Sequence, residues 1–240
     1  MMDSADHNDS KSVRKWAGFF SLAQGLLLFI PLIVLGQAID WPASLDDPAS
    51  VALPRLLENE SAVRLGYTAY LIYSILFAIA IYMIARMSKG RVVAALMTVI
   101  VGFAIASTVF RSIGIIRWLV PMPELATTWQ SATTDQERYA ISTTFELLNS
   151  YGGTMGEVLG VSIFASITIL ILCIASMKDR SMPTWLGVFG IFSAISLLAT
   201  ASVVLGIEPG ELAIFLGTTM VQLWFLAIGL WLLLTGRRSR

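Results

Sequence analysis

The sequence contains very little cysteine and histidine, and these two scarcities exclude several kinds of site. Among 240 residues there is one cysteine, Cys173, and one histidine, His7. One cysteine allows neither an intrachain disulfide nor a thiolate cluster for zinc or iron–sulfur. One histidine excludes bis-histidine haem, histidine-box di-iron sites and the H-E-x-x-H zinc hydrolases. We therefore expect no metal site and no cofactor, and we interpret Cys173 as a small apolar core residue.

Charged residues are scarce as well. Only 13% of the residues are charged, against about 25% in an average soluble domain, and 56% are hydrophobic. A chain of this composition cannot cover the surface of a water-soluble globule. Lys+Arg and Asp+Glu both number 16, so no basic excess indicates nucleic acid as a partner. The sequence also has no P-loop, no G-x-G-x-x-G after a strand-like run and no G-x-S-x-G nucleophile elbow. Composition therefore predicts a multi-span membrane protein.

Long apolar runs define the expected architecture. A helix that crosses about 30 Å of hydrocarbon needs about 20 mostly apolar residues, and six segments of the sequence meet this requirement. They predict an all-α bundle of six transmembrane helices at residues 16–236, after a polar tail at residues 1–15. Pro31 is expected to kink the first helix. The predicted spans are 16–39, 63–85, 92–120, 145–177, 183–207 and 212–235.

Two of the connecting loops carry helix signals. The first long loop contains three prolines and several acids, and a short helix is expected around residues 54–60. In the third loop, Thr134 is followed by Glu137, which is the spacing of a capping box. This pattern predicts a helix that begins near Asp135 and continues into the fourth span.

The basic residues predict the orientation. Eleven of the 16 Lys and Arg residues lie in the N-terminal tail, in the loops after the second and fourth spans, and at the C-terminus. The opposite loops hold only Arg55, Arg64 and Arg138, together with most of the acids. The positive-inside rule then predicts that both termini are cytoplasmic and that the acidic loops lie outside.

Three ionisable residues fall within or at the edge of the apolar spans. Arg111 lies 20 residues after Arg91 and Glu157 lies 20 residues before Met177, which at 1.5 Å per residue places both about 30 Å from the cytoplasmic end of their helices. Arg117 lies a further turn and a half outward. A charge deep in a bilayer costs about 2.5–3.5 kcal/mol, so we expect Glu157 to be a buried partner of Arg111 or Arg117.

The residues around Glu157 form two patterns at helical spacing. Polar side chains at spacings of three and four should share one face. Small residues every four positions should let a neighbouring backbone approach closely. The polar pattern is Glu146, Asn149 and Glu157, and the small-residue pattern is Gly152, Gly156 and Gly160.

Tyrosines recur on the second span. Tyr67, Tyr70 and Tyr73 follow one another every three residues. Ordinary anchoring at the membrane interface is the favoured interpretation of this stripe, and hydrogen bonding toward the bundle interior is the alternative.

Two interpretations of the Arg111, Arg117, Glu157, Asn149 and Glu146 set stay open. In the first, the arginine–glutamate pairing only fixes the third helix against the fourth. In the second, the surplus of arginine over carboxylate binds the headgroup of an anionic lipid or amphiphile at the outer leaflet. A small-molecule transporter and a membrane-embedded lipid-modifying enzyme are weaker alternatives, because no chain of acids crosses the membrane and no second carboxylate or nucleophile is securely placed beside Glu157. The expected partners are membrane lipids, with self-association into a homo-oligomer left open.

Two apolar strings support a family resemblance. They are P-T-W-L-G-V-F-G at residues 183–190 and W-F-L-A-I-G-L-W at residues 224–231. With the order of spans, they make the chain resemble, over residues 12–236, the six-span bacterial membrane family known as domain of unknown function 4386. The resemblance implies a multi-pass protein of the prokaryotic cytoplasmic membrane, and it brings no catalytic residues.

Overall fold

The computed structural model describes residues 3–88 and 90–235, with side chains described from residue 12 onward except at residue 211. Within this part of the chain the regular structure is entirely helical, which confirms the all-α prediction. Six helical segments are long and apolar enough to cross a membrane: Ser12–Ile39, Glu60–Met87, Arg91–Ser131, Asp135–Lys178, Thr184–Leu205 and Leu212–Thr235.

The described part of the chain forms ten α-helices and a π-helical segment. The helices are α1 (Asp3–Leu27), α2 (Phe29–Ile39), α3 (Ala49–Glu58), α4 (Glu60–Met87), α5 (Arg91–Leu119), α6 (Pro121–Ser131), α7 (Asp135–Gly153), α8 (Ser166–Lys178), α9 (Thr184–Ala199) and α10 (Glu211–Thr235). The π-helix, Thr154–Ala165, joins α7 to α8 without a loop. Short 3-10 helices cover Ala43–Asp46 and Thr200–Leu205.

The first span is interrupted at Leu28, between α1 and α2. Pro31 has no N–H, and its ring clashes with the carbonyl of the residue four positions earlier, which is Leu27. The helix therefore ends at Leu27 and starts again at Phe29. The kink predicted at Pro31 is present as this break.

The loop helices differ in part from the predictions. The short helix expected around residues 54–60 is α3, which begins earlier, at Ala49, because Pro48 is extended and ends the preceding turn. The capping box is confirmed: Glu137 N–H donates to Thr134 Oγ1 at 3.2 Å, and Thr134 N–H donates to Glu137 Oε2 at 3.0 Å. Helix α6 was not predicted, although Pro121 occupies the first helical position that proline favours.

The chain divides into two compact units, and α4 and α5 contribute residues to both. The first unit consists of residues 1–26, 75–109 and 158–240, and the second of residues 27–74 and 110–157. In the first unit α9 packs against both α8 and α10. Trp224 is fully buried there and donates its indole N–H to the Leu186 carbonyl at 3.1 Å. Cys173 is also fully buried in this core, as expected.

A carboxylate satisfies the N-terminus of α5 within the first unit. The two oxygens of Asp179 accept hydrogen bonds from the backbone N–H groups of Val92, at 3.1 Å, and Val93, at 2.8 Å. The first N–H groups of a helix have no partner within it, and an anion is favoured at the positive end of the helix dipole. Asp179 thereby joins the turn after α8 to the start of α5.

The second unit contains most of the residues that the sequence singled out. In it α3 packs against α6 and α7. Its core is formed by large apolar and aromatic side chains that are almost fully buried: Leu35, Leu53, Leu56, Tyr67, Met122 and Phe145.

Candidate functional site

Arg117 lies in the last turn of α5, and its side chain is only 8% exposed. Its Nη1 donates to the Gly114 carbonyl at 2.8 Å, and its Nη2 donates to Asn149 Oδ1 at 3.2 Å. Its guanidinium carbon lies 5.6 Å from the centre of the Trp118 ring. A buried guanidinium needs such contacts, because an uncompensated charge in an apolar environment is costly. Arg117 is the centre of the candidate site.

Glu157 lies beside Arg117 but is not buried. Its Oε1 is 3.9 Å from Arg117 Nη2, which is longer than a hydrogen bond, and its side chain is 59% exposed. The expected ion pair is therefore formed with Arg117, and the expectation that Glu157 is a buried partner was wrong. Glu146, which α-helical spacing places on the same face eleven residues earlier, is exposed as well, so this face is exposed before the π-helix begins at Thr154.

Of the other two predicted polar residues, Asn149 contacts Arg117 and Glu146 does not. Asn149 accepts from Arg117 and donates through Nδ2 to the Leu45 carbonyl at 2.7 Å, which joins α7 to the 3-10 helix Ala43–Asp46. Glu146 is exposed on α7, and within residues 3–88 and 90–235 its side chain has no hydrogen bond or ion pair. The structure therefore brings Asn149 and Glu157 to Arg117 and leaves Glu146 outside the site.

An aromatic ring lies close to the guanidinium of each buried arginine, Arg111 and Arg117. Arg111 is 4% exposed, and its guanidinium carbon lies 5.5 Å from the centre of the Tyr73 ring. The Tyr67 ring stacks on Trp118, with the centroids 5.3 Å apart and the planes parallel to within 1°. Tyr67 and Tyr73 are 2% and 4% exposed. The tyrosine stripe thus points into the protein, and interfacial anchoring was the wrong interpretation.

Two buried polar atoms close to the site have unused hydrogen-bonding capacity. Arg117 Nε and the Tyr67 hydroxyl have no hydrogen-bond partner in the part of the chain that the structure describes. Buried polar atoms in proteins are almost always satisfied by protein, water or a ligand. The site therefore has donors beyond those that hold Arg117 in place. Sequence reasoning assigned Tyr67 no place in the site, because its three-residue spacing fits an interfacial stripe equally well.

Glycines form the backbone surface next to Arg117. A Cβ on Gly114 would lie 2.8 Å from Gly156 Cα and 2.9 Å from the Gly152 carbonyl, so α5 meets the α7–π-helix segment backbone to backbone. A Cβ on Gly152 would lie 2.7 Å from Arg117 Cδ, which leaves no room for a side chain there. Gly160 belongs to the other unit, where its carbonyl accepts from Ser107 Oγ at 2.7 Å.

A small cavity lies on the other side of Trp118. It has a volume of about 10 Å³ and is lined by Ile39, Ser44, Ala52, Arg55, Leu56 and Trp118. The Ser44 hydroxyl is buried there without a hydrogen-bond partner in the described residues. This volume corresponds to about one water molecule.

The comparisons with known proteins agree with this architecture. A family model matches residues 17–236, nearly the whole chain. The chain belongs to the DUF4386 family, a domain of unknown function. The resemblance is therefore confirmed over residues 17–236, and this DUF4386 protein has the six apolar helices of a multi-pass membrane protein. Comparisons with curated proteins and with solved structures gave no match.

Proposed function

We propose that this DUF4386 protein binds the phosphate of an amphiphile headgroup at Arg117, beside Glu157. The observation that carries the proposal is the unequal exposure of the two side chains in the Arg117–Glu157 ion pair. Its cationic half is buried at 8% exposure and its anionic half is 59% exposed. The two lie 3.9 Å apart, on two segments that are each apolar enough to span a membrane. The pair is therefore open on its Glu157 side.

The donors of Arg117 support a phosphate ligand. A guanidinium has five N–H donors in a planar fork that matches phosphate oxygens. One Nη1 donor is used by Gly114 and one Nη2 donor by Asn149. The remaining Nη2 direction faces Glu157 across a gap too long for a hydrogen bond. A headgroup oxygen that approaches from the exposed side of Glu157 would accept from Nη2.

The exposure of Glu157 supports a polar ligand from the membrane. A charged side chain in hydrocarbon costs about 2.5–3.5 kcal/mol even on the lenient insertion scale, and such residues usually mark functional sites. A headgroup and its water would lower this cost. The π-helix that carries Glu157 adds support, because π-helical turns are rare and occur frequently at functional sites. Nothing in the described residues favours the transporter or the lipid-modifying enzyme over headgroup binding.

Gly153→Ala tests the proposed site without removing a charge. A Cβ on Gly153 would lie 3.4 Å from Arg117 Nη2 and 3.9 Å from Glu157 Oε1, so the methyl group fits but occupies the gap. We expect the affinity for phosphatidylglycerol, measured by native mass spectrometry of the detergent-purified chain, to fall about tenfold, the loss of one charge-assisted hydrogen bond. The unfolding temperature should not fall, because alanine favours a helix more than glycine does.

The matched control is Gly102→Ala, at a helical glycine with open space around it. Its affinity for phosphatidylglycerol should equal that of the unaltered protein. Diacylglycerol, which lacks the phosphate, should bind more weakly than phosphatidylglycerol. Equal affinities of the unaltered protein for the two lipids, or no effect of Gly153→Ala, would contradict the proposal.

The proposed location is the outer leaflet of a prokaryotic cytoplasmic membrane, with both termini in the cytoplasm. The distribution of basic residues supports this orientation, since the loops of the Arg117 side hold few of them and most of the acids. A fluorescent protein fused to the C-terminus should fluoresce, and alkaline phosphatase at the same position should be inactive. An active phosphatase fusion would reverse the orientation and place the site in the inner leaflet.

A further inference from the structure

The open side of the Arg117 site is acidic. A ligand that reaches Arg117 Nη2 must pass the Glu157 carboxylate, because that side chain is the exposed member of the pair. A headgroup whose only charge is negative is attracted by the buried guanidinium and repelled by the exposed carboxylate. A headgroup that also carries a positive group would meet an attractive partner at both positions.

We propose that the ligand at this site is zwitterionic, with a phosphate at Arg117 and an ammonium group at Glu157. This inference rests on the proposed function above and names its ligand class. Arg117 Nη2 and Glu157 Oε1 lie side by side, 3.9 Å apart, as a cationic and an anionic contact for one small headgroup. An ammonium group has three N–H donors for the carboxylate, whereas the phosphate oxygens accept from the guanidinium fork.

The loop between α2 and α3 contributes a further carboxylate. The 3-10 helix Ala43–Asp46 is held to α7 by the hydrogen bond from Asn149 Nδ2 to the Leu45 carbonyl, at 2.7 Å. Its last residue, Asp46, is exposed and directly follows Leu45 in the chain. Two exposed carboxylates therefore accompany a buried guanidinium. This order of charges favours an ammonium group at the surface and a phosphate beneath it.

The site is built from buried polar groups as well as from these acids. Arg117 is 7% exposed, and the Tyr67 hydroxyl, on a residue 2% exposed, has no hydrogen-bond partner in the described residues. Tyr67 stacks on Trp118, the neighbour of Arg117 in sequence.

The experiment compares two phospholipids that differ in the ammonium group. Phosphatidylethanolamine and phosphatidylglycerol are titrated onto the full chain in detergent, and affinities are measured by native mass spectrometry. We expect phosphatidylethanolamine to bind about tenfold more tightly. Glu157→Gln should abolish this preference, by weakening phosphatidylethanolamine and strengthening phosphatidylglycerol. Asp46→Asn should also reduce the preference for phosphatidylethanolamine over phosphatidylglycerol.

Glu60→Gln is the matched control, since Glu60 is an exposed acid paired with Arg64 at 2.8 Å in the same unit. It should leave the preference unchanged. Equal affinities for the two phospholipids, or a preference that survives Glu157→Gln, would overturn the zwitterion inference while phosphate binding at Arg117 stands. Failure of both phospholipids to bind more tightly than diacylglycerol would overturn the proposed function and this inference with it.

A soluble competitor distinguishes the two sources of such a ligand. Phosphoethanolamine carries both charges without acyl chains. If it displaces phosphatidylethanolamine, the zwitterionic group alone is recognised, and a free metabolite of this class is a candidate ligand. If it does not, while phosphatidylethanolamine keeps its preference over phosphatidylglycerol, the zwitterion is recognised as part of a lipid. Both results support the inference, and only the lipid comparison above can overturn it.

Discussion

Replacing Gly114 with alanine should lower the unfolding temperature of this protein, whereas the same change at Gly102, in the same helix, should raise it. The two positions differ in what a methyl group would meet. At Gly114 the new Cβ would lie 2.8 Å from Gly156 Cα and 2.9 Å from the Gly152 carbonyl. These are backbone atoms, so relief requires α5 and the α7–π-helix segment to separate. At Gly102 no heavy atom lies within 4 Å.

The expected effects differ in sign as well as in size. Overpacking at a close contact costs about 1–3 kcal/mol, and a bulkier Gly114→Leu should prevent the contact altogether. Gly102→Ala should stabilise the helix by about 0.5–1 kcal/mol, because glycine is less favourable than alanine in a helix interior. Thermal unfolding of the two variants in the same detergent measures the difference. Equal changes in unfolding temperature for the two alanine variants, or a larger decrease for Gly102→Ala, would show that the Gly114–Gly156 contact is not close.

Removing Arg117 should destabilise the protein more than removing any exposed arginine of the same unit. Arg117→Leu would leave the Gly114 carbonyl and Asn149 Oδ1 without their donor. Leaving a buried polar group unsatisfied costs about 1–3 kcal/mol, since that group stays desolvated. We expect a large drop in unfolding temperature in detergent.

Arg64→Leu is the control for this prediction. Arg64 is 52% exposed and pairs with Glu60 four residues earlier on α4. Exposed pairs of this kind contribute about 0–1 kcal/mol, so the unfolding temperature should hardly change. Glu157→Gln should also have a small effect on stability, because its carboxylate is exposed and does not hydrogen-bond Arg117. Similar decreases in unfolding temperature for Arg64→Leu and Arg117→Leu would contradict the central role of Arg117 in the site.

The sequence was sufficient to predict the architecture, because hydropathy and helix signals act locally. Runs of apolar residues long enough to cross hydrocarbon predict helices wherever they occur. Pro31 predicts a break through its missing N–H, and Thr134 with Glu137 predicts the start of α7 through reciprocal capping bonds. A pair between Glu157 and either Arg111 or Arg117 was also predictable, because opposite charges at one depth in apolar helices are expected to pair, but the sequence could not distinguish the two arginines.

The surroundings of the pair were not predictable, because burial depends on tertiary packing. Spacings of three and four predicted that Glu146, Asn149 and Glu157 share one face, and the position of Glu157 in an apolar run predicted that it is buried. Glu146 and Glu157 are both exposed, and no local signal in the sequence marks the start of the π-helix at Thr154 apart from the neighbouring glycines. The burial of Tyr67 against Trp118 depends on tertiary packing, which a three-residue spacing cannot distinguish from interfacial anchoring.

The most direct test of headgroup binding is an experimental structure of the protein in nanodiscs that contain phosphatidylethanolamine, at a resolution that shows headgroups. The account predicts density for a phosphate within hydrogen-bond distance of Arg117 Nη2, with the attached amine next to Glu157. A gap filled by an acyl chain, or closed by a direct hydrogen bond between Arg117 and Glu157, would contradict it.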